Sequence, residues 1–186
     1  MPYNLPQFDV RKFSIGPAIV YIGVAGQTPT IDLGAIRSAE MKFTYELNKF
    51  YQGLPSVPRA MRFKLSDLTL TVKGLEWDFS KLSKTTGGYL VETIDGVSLT
   101  QELYANLEYA DPISVRLVHT TPSESILTVD LYNAYPGGTD SFAFAQNVHE
   151  MTYIFHAASS TIDFAGNAIP PNTPFKITLA MPFGGS

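Results

Sequence analysis

The histidines are the residues whose chemistry is most readily tested from the sequence, because imidazole is a common metal ligand and proton carrier. The chain contains three, His119, His149 and His156, and no cysteine, so thiolate metal sites, disulfides and cysteine nucleophiles are unavailable. The histidines have no metal-ligand spacing. On a strand, His149 and His156 would point to opposite faces and could not chelate together. The sequence therefore predicts structural histidines and no metal site.

Other residue types that could support catalysis lack a catalytic pattern. Glu76 and Asp78 flank Trp77 and could be the paired carboxylates of a glycosidase, but a helix dipole explains two carboxylates at a helix start more simply. No dinucleotide or phosphate-loop pattern is formed by Gly16, Gly23, Gly26 and Gly34, and no nucleophile elbow is present. We predict no catalytic residue, no cofactor and no enzymatic activity.

Rings and basic side chains are interleaved in one region, as in some nucleic-acid-binding proteins. The set is Lys42, Lys49, Tyr51, Arg59, Arg62 and Lys64. The chain as a whole has a net charge of −4, which disfavours stable binding to phosphate. We therefore expect no stable complex with nucleic acid.

Two long alternating stretches are the elements that must position any functional surface. In residues 36–47 the apolar positions are Ala39, Met41, Phe43, Tyr45 and Leu47, and the polar positions are Ser38, Glu40, Lys42, Thr44 and Glu46. A period of two predicts a strand with one face on a core. In residues 60–74 the alternation slips at Ser66-Asp67, which predicts a β-bulge because a one-residue slip would otherwise reverse the faces.

The segment between these strands, residues 48–59, is rich in Pro and Gly but carries Phe50, Tyr51, Leu54 and Val57. A hairpin tip in solvent has little reason to hold four large apolar side chains, whereas burial against another subunit explains them. We predict an extended inter-subunit loop whose interface residues are Phe50, Tyr51, Gly53, Leu54, Pro55, Val57 and Arg59.

Composition favours one domain over residues 1–186 with a large interface. Charged residues are 16% and aromatic residues 12% of the chain, a poorly charged and ring-rich balance that either a large interface or a large aromatic core would explain. Residues 1–84 hold 11 Lys/Arg and 7 Asp/Glu, whereas residues 85–186 hold 2 and 10. This asymmetry either disappears on folding or provides complementary surfaces for self-association.

The rest of the chain reads mostly as strands, at 15–24, 113–119, 126–135, 148–156 and 175–181. A short helix is predicted over residues 76–84, closed by Gly87-Gly88. A second helix is predicted from Ser98, where Gln101 would complete a capping box and Leu99, Leu103 and Leu107 would form an apolar stripe. These elements predict a mainly β fold: an antiparallel β-sandwich or barrel with one or two flanking helices and a long protruding β-hairpin loop.

Three parts of the sequence together resemble the major tail tube proteins of long-tailed bacteriophages. Residues 16–23 with Leu33-Gly34 resemble the first hairpin of that family, and residues 50–58 with Gly53-Leu54-Pro55 resemble its extended loop. The strongest similarity is the strand 127–136, followed by residues 142–144 and the strand 149–155. Residues 85–97 depart from the family pattern and are interpreted as a possible insertion, and residues 1–14 as an N-terminal arm.

The resemblance implies a structural virion protein. Members of the family form hexameric rings that stack into the tail tube, and type VI secretion tube proteins share the fold. The implied partners are further copies of the chain, the tape-measure protein, the tail terminator, baseplate or tip proteins, and DNA in transit without stable binding. The chain would be made in the host cytoplasm without inserting into a membrane, since the start has no secretory signal and the longest apolar run, residues 18–25, is too short to span a bilayer.

Within a closed ring, one face of the long strands would line the lumen. The polar set Ser38, Glu40, Lys42, Thr44 and Glu46 is the candidate, with Arg62 and Lys64 opposite and Lys42 neutralised by Glu40 or Glu46. Three alternatives stay open: a tail terminator or connector that forms a single ring, a secreted tube protein like those of type VI secretion, and a carbohydrate-binding β-sandwich with exposed aromatic platforms.

Overall fold

The computed structural model of the chain describes residues 12–15, 18–52, 57–75, 78–104, 111–120, 125–137, 141–144 and 149–180. The described elements, in chain order, are β1 (Lys12–Ile15), β2 (Ile19–Val24), β3 (Ile31–Asp32), β4 (Ile36–Gln52), β5 (Val57–Gly74), α1 (Phe79–Thr86), β6 (Tyr89–Asp95), β7 (Ser98–Tyr104), β8 (Ile113–Thr120), β9 (Ile126–Pro136), β10 (Ser141–Phe144), β11 (His149–Ala158), β12 (Ser160–Ile162), β13 (Ala168–Thr173) and β14 (Phe175–Ala180). The predicted mainly β class is confirmed.

Ten of these strands form one sheet whose pairings are all antiparallel. The strand order is β1-β4-β5-β11-β9-β8-β2-β3, with β10 on the edge of β11 and β14 on the edge of β9. β11 joins the two halves, because Phe155 is in register with Leu70 of β5 and with Pro136 of β9. The halves face each other as a β-sandwich.

A single apolar core lies between the two halves. One side supplies Met41, Leu70, Val72, Tyr153 and Phe155, and the other supplies Val20, Ile22, Val115, Leu117 and Leu131. All ten side chains are at most 2% exposed. The alternation of the sequence explains this arrangement, because residues two apart on a strand share a face.

The helix α1 flanks the sandwich and is fixed at both ends by local hydrogen-bonding chemistry. Asp78 is the N-cap, and its Oδ1 accepts hydrogen bonds from the backbone N–H of Ser80 at 2.9 Å and of Lys81 at 3.4 Å. Gly87 ends the helix with φ = 69°, a left-handed conformation that glycine adopts without a Cβ clash. Leu82 is buried in the core. The predicted helix is confirmed, although its bounds are shifted toward the C-terminus.

We expect Asp78→Ala to lower the free energy of unfolding by about 0.5–2 kcal/mol. Partial burial acts to raise the pKa of Asp78, but hydrogen bonds from Ser80 and Lys81 outweigh it and hold the pKa below its usual value. Since the folded-state pKa is depressed, this stabilisation is present above the unfolded pKa of about 3.9 and is lost as the pH falls through the folded value. Urea unfolding across this pH range should show the wild-type advantage shrinking in acid.

The matched control is Asp78→Asn, which keeps an oxygen acceptor and should lie within a few tenths of a kcal/mol of the wild type at neutral pH. An alanine variant as stable as the wild type at pH 7 would contradict a stabilising cap at this position.

The predicted second helix is wrong. β6 and β7 form a two-stranded antiparallel hairpin in which Asp95 is paired with Ser98. Gly96 occupies the first turn position with φ = 60°, as the two-residue type II′ turn requires. The single helix among the described residues is therefore α1, and Leu107 lies outside those residues.

Candidate assembly surface

The candidate surface is the hairpin of β4 and β5, 17 and 18 residues long. At about 3.4 Å per residue, each strand extends roughly 60 Å. The register continues to Gln52↔Val57, so residues 48–52 and 57–59, predicted as loop, are paired strand. The connection itself is only residues 53–56, which lie outside the described residues.

The predicted bulge lies at the middle of this hairpin. Thr44 is in register with Asp67 and Tyr45 with Leu65, so Ser66 is the extra residue. The hydroxyl of Ser66 donates a hydrogen bond to the carbonyl oxygen of Thr44 at 3.1 Å. Because the bulge absorbs the slip in the sequence, Leu65 and Leu68 both keep to the core face.

Asp67 links this bulge to β11. Its Oδ1 lies 3.3 Å from Nδ1 of His156, and its Oδ2 accepts a hydrogen bond from the Thr69 hydroxyl at 3.0 Å. Burial acts to raise the pKa of Asp67, but the contacts with His156 and Thr69 outweigh it and lower the pKa. Asp67 and His156 therefore link the middle of the hairpin, next to the bulge, to β11.

The five polar positions of β4 share one face, as predicted. They alternate with the buried residues Ala39, Met41 and Phe43. Lys64 stands opposite Glu46, and Arg62 stands opposite Asn48. Thr69 is the β5 residue opposite Lys42, and the neutralisation of Lys42 by Glu40 or Glu46 stays a prediction. Whether Ser38, Glu40, Lys42, Thr44 and Glu46 line a lumen stays a prediction.

A group of three charges marks the other end of this polar face. The carboxylate of Glu150 accepts a hydrogen bond from Nη1 of Arg37 at 2.7 Å and lies 2.9 Å from Nζ of Lys73. Contacts with Lys73 first and Arg37 second lower the pKa of Glu150. The two cations are neutralised in part within the chain, and the polar face carries charges of both signs along its length.

The apolar face of the hairpin is uncovered beyond the bulge. The exposed fractions are 46% for Tyr45, 40% for Leu47 and 53% for Met61. The register places these residues on the face of the buried Phe43, with Leu47 opposite Phe63 and Met61 opposite Lys49. The alternation predicts that Tyr45 and Leu47 lie on a core face. In the structure, the core covers that face only along the first half of β4.

The other half of the sandwich has a similar apolar extension. Phe175 of β14 packs edge-on against Phe43, with ring centroids 5.4 Å apart. Ile177 and Leu179 continue on the same face of β14, since Ile177 is in register with the buried Val129, but they are exposed. The exposed apolar surface therefore includes residues from both layers of the sandwich. In the sequence, alternating strands that are longer than the core requires are the signal that could have predicted this surface.

The predicted interface residues lie at the far end of the hairpin. Phe50 and Tyr51 belong to the last residues of β4, and Val57 and Arg59 to the first residues of β5. The structure describes only the backbone of these four. Gly53, Leu54 and Pro55 lie outside the described residues, so the proposed contacts of this set stay a prediction.

Arg116 and Asp130 form an ion pair on neighbouring strands, β8 and β9. Arg116 donates two hydrogen bonds to the largely buried Asp130, at 2.6 and 3.0 Å, and its guanidinium lies 5.0 Å from the ring centroid of Phe164. The Asp130 hydrogen bond raises the pKa of Arg116.

Among the residues that the structure describes, no group of three or more His, Asp or Glu side chains could hold a metal ion. None of the helices in that part of the chain has the length and apolar character of a membrane span.

Comparison of the sequence with protein-family models and with curated proteins gives no match.

Proposed function

We propose that this protein is a structural subunit of a bacteriophage tail tube, in which copies of the chain close into hexameric rings and the rings stack. The observation that carries the proposal is the uncovered apolar face of the β4–β5 hairpin, at Tyr45, Leu47 and Met61. In a monomer this apolar face, on the part of the hairpin that extends beyond the core, would remain exposed to water. A neighbouring copy would bury it.

Free sheet edges support the same function. β1 and β14 each have one edge without a partner strand in the described sheet. Unpaired backbone N–H and C=O groups on an edge are a template for another chain, and closure into a ring removes them. Contacts that close by rotation make rings, and axial contacts that do not close make filaments.

The polar face of β4 would then line the lumen. In the described part of this face, Glu46 stands opposite Lys64, and Glu150 contacts both Arg37 and Lys73. Cations paired with a carboxylate, as Arg37 and Lys73 are with Glu150, would bind phosphate weakly, which suits a conduit for DNA, because each unneutralised Lys or Arg contact adds salt-dependent affinity.

Sedimentation velocity and negative-stain microscopy of the purified chain over a concentration series would test the proposal. We expect rings and stacked tubes, with interfaces larger than about 2,000 Å². Single rings that never stack would favour a terminator or connector. A sharp monomer boundary at all concentrations would contradict assembly and leave a binding module as the remaining class.

A further inference from the structure

The β6–β7 hairpin, residues 89–104, is the part of the described chain that is least integrated into the sandwich. It forms its own two-stranded sheet, separate from the main sheet, and packs at its base against α1, with Leu103 reaching the core. A two-stranded hairpin is marginally stable by itself in water. We name residues 89–104 the acidic arm, because their charged side chains are all carboxylates.

The outer half of the acidic arm is apolar on one face. The register pairs Leu90 with Leu103 at the base, Glu92 with Gln101 in the middle and Ile94 with Leu99 at the tip, so these three pairs share a face. Ile94 is 78% exposed and Leu99 58%, and Val97 in the turn is fully exposed. The arm therefore presents bare aliphatic side chains beyond the point at which the core covers them.

The charges of the acidic arm all have one sign. Its charged residues are Glu92, Asp95 and Glu102, and the sequence contains no Lys or Arg between Lys84 and Arg116. Glu92 accepts a hydrogen bond from the amide of Gln101 at 2.7 Å, which fixes the carboxylate between the base and the tip of the apolar face.

The far half of the β4–β5 hairpin has the complementary properties. It exposes Tyr45, Leu47 and Met61, and Lys49 stands directly opposite Met61 on the same face. The apolar face of the arm therefore carries the carboxylate of Glu92, and the apolar face of the hairpin carries the ammonium of Lys49.

We propose that the acidic arm of one copy docks on the far half of the β4–β5 hairpin of a neighbouring copy. Because both complementary surfaces belong to the same chain, a second copy of the chain can provide the partner for each of them. The contact is heterologous, since different patches meet, and it can therefore propagate around a ring or along a tube. This inference rests on the proposed self-assembly and names the surfaces that would carry it.

Two charge-reversed variants test the docking. The arm variant is Glu92→Lys, and the hairpin variant is Lys49→Glu, because these two charges lie on the apolar faces that would meet. Like charges at the interface should raise the threshold concentration for assembly of each variant by at least about tenfold. An equimolar mixture should assemble near the wild-type threshold, because the reversed arm meets the reversed hairpin and the native arm meets the native hairpin.

A matched control is Asp111→Lys, which removes an exposed carboxylate from the same acidic half of the chain but outside the arm; we expect it to assemble like the wild type. Circular dichroism should show both charge-reversed variants folded. If the wild type assembles but the mixture does not regain assembly, the docking inference is overturned while the proposed function stands. If the wild type itself stays monomeric at every concentration, both are overturned.

Discussion

Replacing Phe155 with alanine should lower the free energy of unfolding by about 3–5 kcal/mol. The ring is fully buried and lies parallel to that of Tyr153, with centroids 6.4 Å apart. Phe155 also occupies the position at which β11 pairs with β5 on one side and β9 on the other. A cavity there would weaken both halves of the sandwich at once, and chemical denaturation followed by circular dichroism would measure the loss.

The control for this variant is Tyr135→Ala, which removes an exposed ring from the adjacent strand and should cost less than about 1 kcal/mol. If Phe155→Ala cost no more than Tyr135→Ala, Phe155 could not be part of the joint between the two halves.

The double variant Tyr45→Ser/Leu47→Ser should fold normally and form rings or tubes only at higher protein concentrations than the wild type. Both side chains are partly exposed in the isolated chain, so the core loses little. Full burial of a large apolar side chain is worth about 1.5–3 kcal/mol, and every copy in an assembly would lose two of them. The threshold concentration, measured by sedimentation, should rise by at least about tenfold.

Glu46→Ser/Asn48→Ser provides the matched control, because it makes two serine substitutions on the opposite face of the same part of β4 and should leave assembly intact. Loss of the native circular-dichroism signal in Tyr45→Ser/Leu47→Ser would assign these residues to the core instead. Tubes at the wild-type threshold would exclude this face as the contact.

The long hairpin could be predicted from sequence because its evidence is local. Alternation over residues 36–47 and 60–74 requires only the period of a strand, and the slip at Ser66-Asp67 has no low-energy explanation other than the bulge. The cap at Asp78 and the stop at Gly87 are local as well. The extent of the core is not a local property. The residue types of Tyr45 and Leu47 do not show that the core stops covering this face of β4 near Phe43.

The acidic arm shows how two local signals can compete. Ser98 with Gln101 resembles a capping box, and Leu99, Leu103 and Leu107 have helical spacing. Gly96 at the first position of a two-residue turn, with alternating residues on both sides, is also a hairpin signal, and in the structure this signal prevails. The intrinsic secondary-structure propensity of a segment is only a weak predictor of its structure, because pairing with a partner strand can override it.

The late position of β11 in the chain constrains synthesis in the cell. β5 is complete at Gly74, but the strand that fills the space between it and β9 begins only at His149. A nascent chain on the ribosome therefore holds a long unpaired strand edge until most of the protein has been translated. The sandwich cannot close before then, so the proposed recruitment into a tube would wait for a nearly finished polypeptide, and chaperones would have a defined interval in which to act.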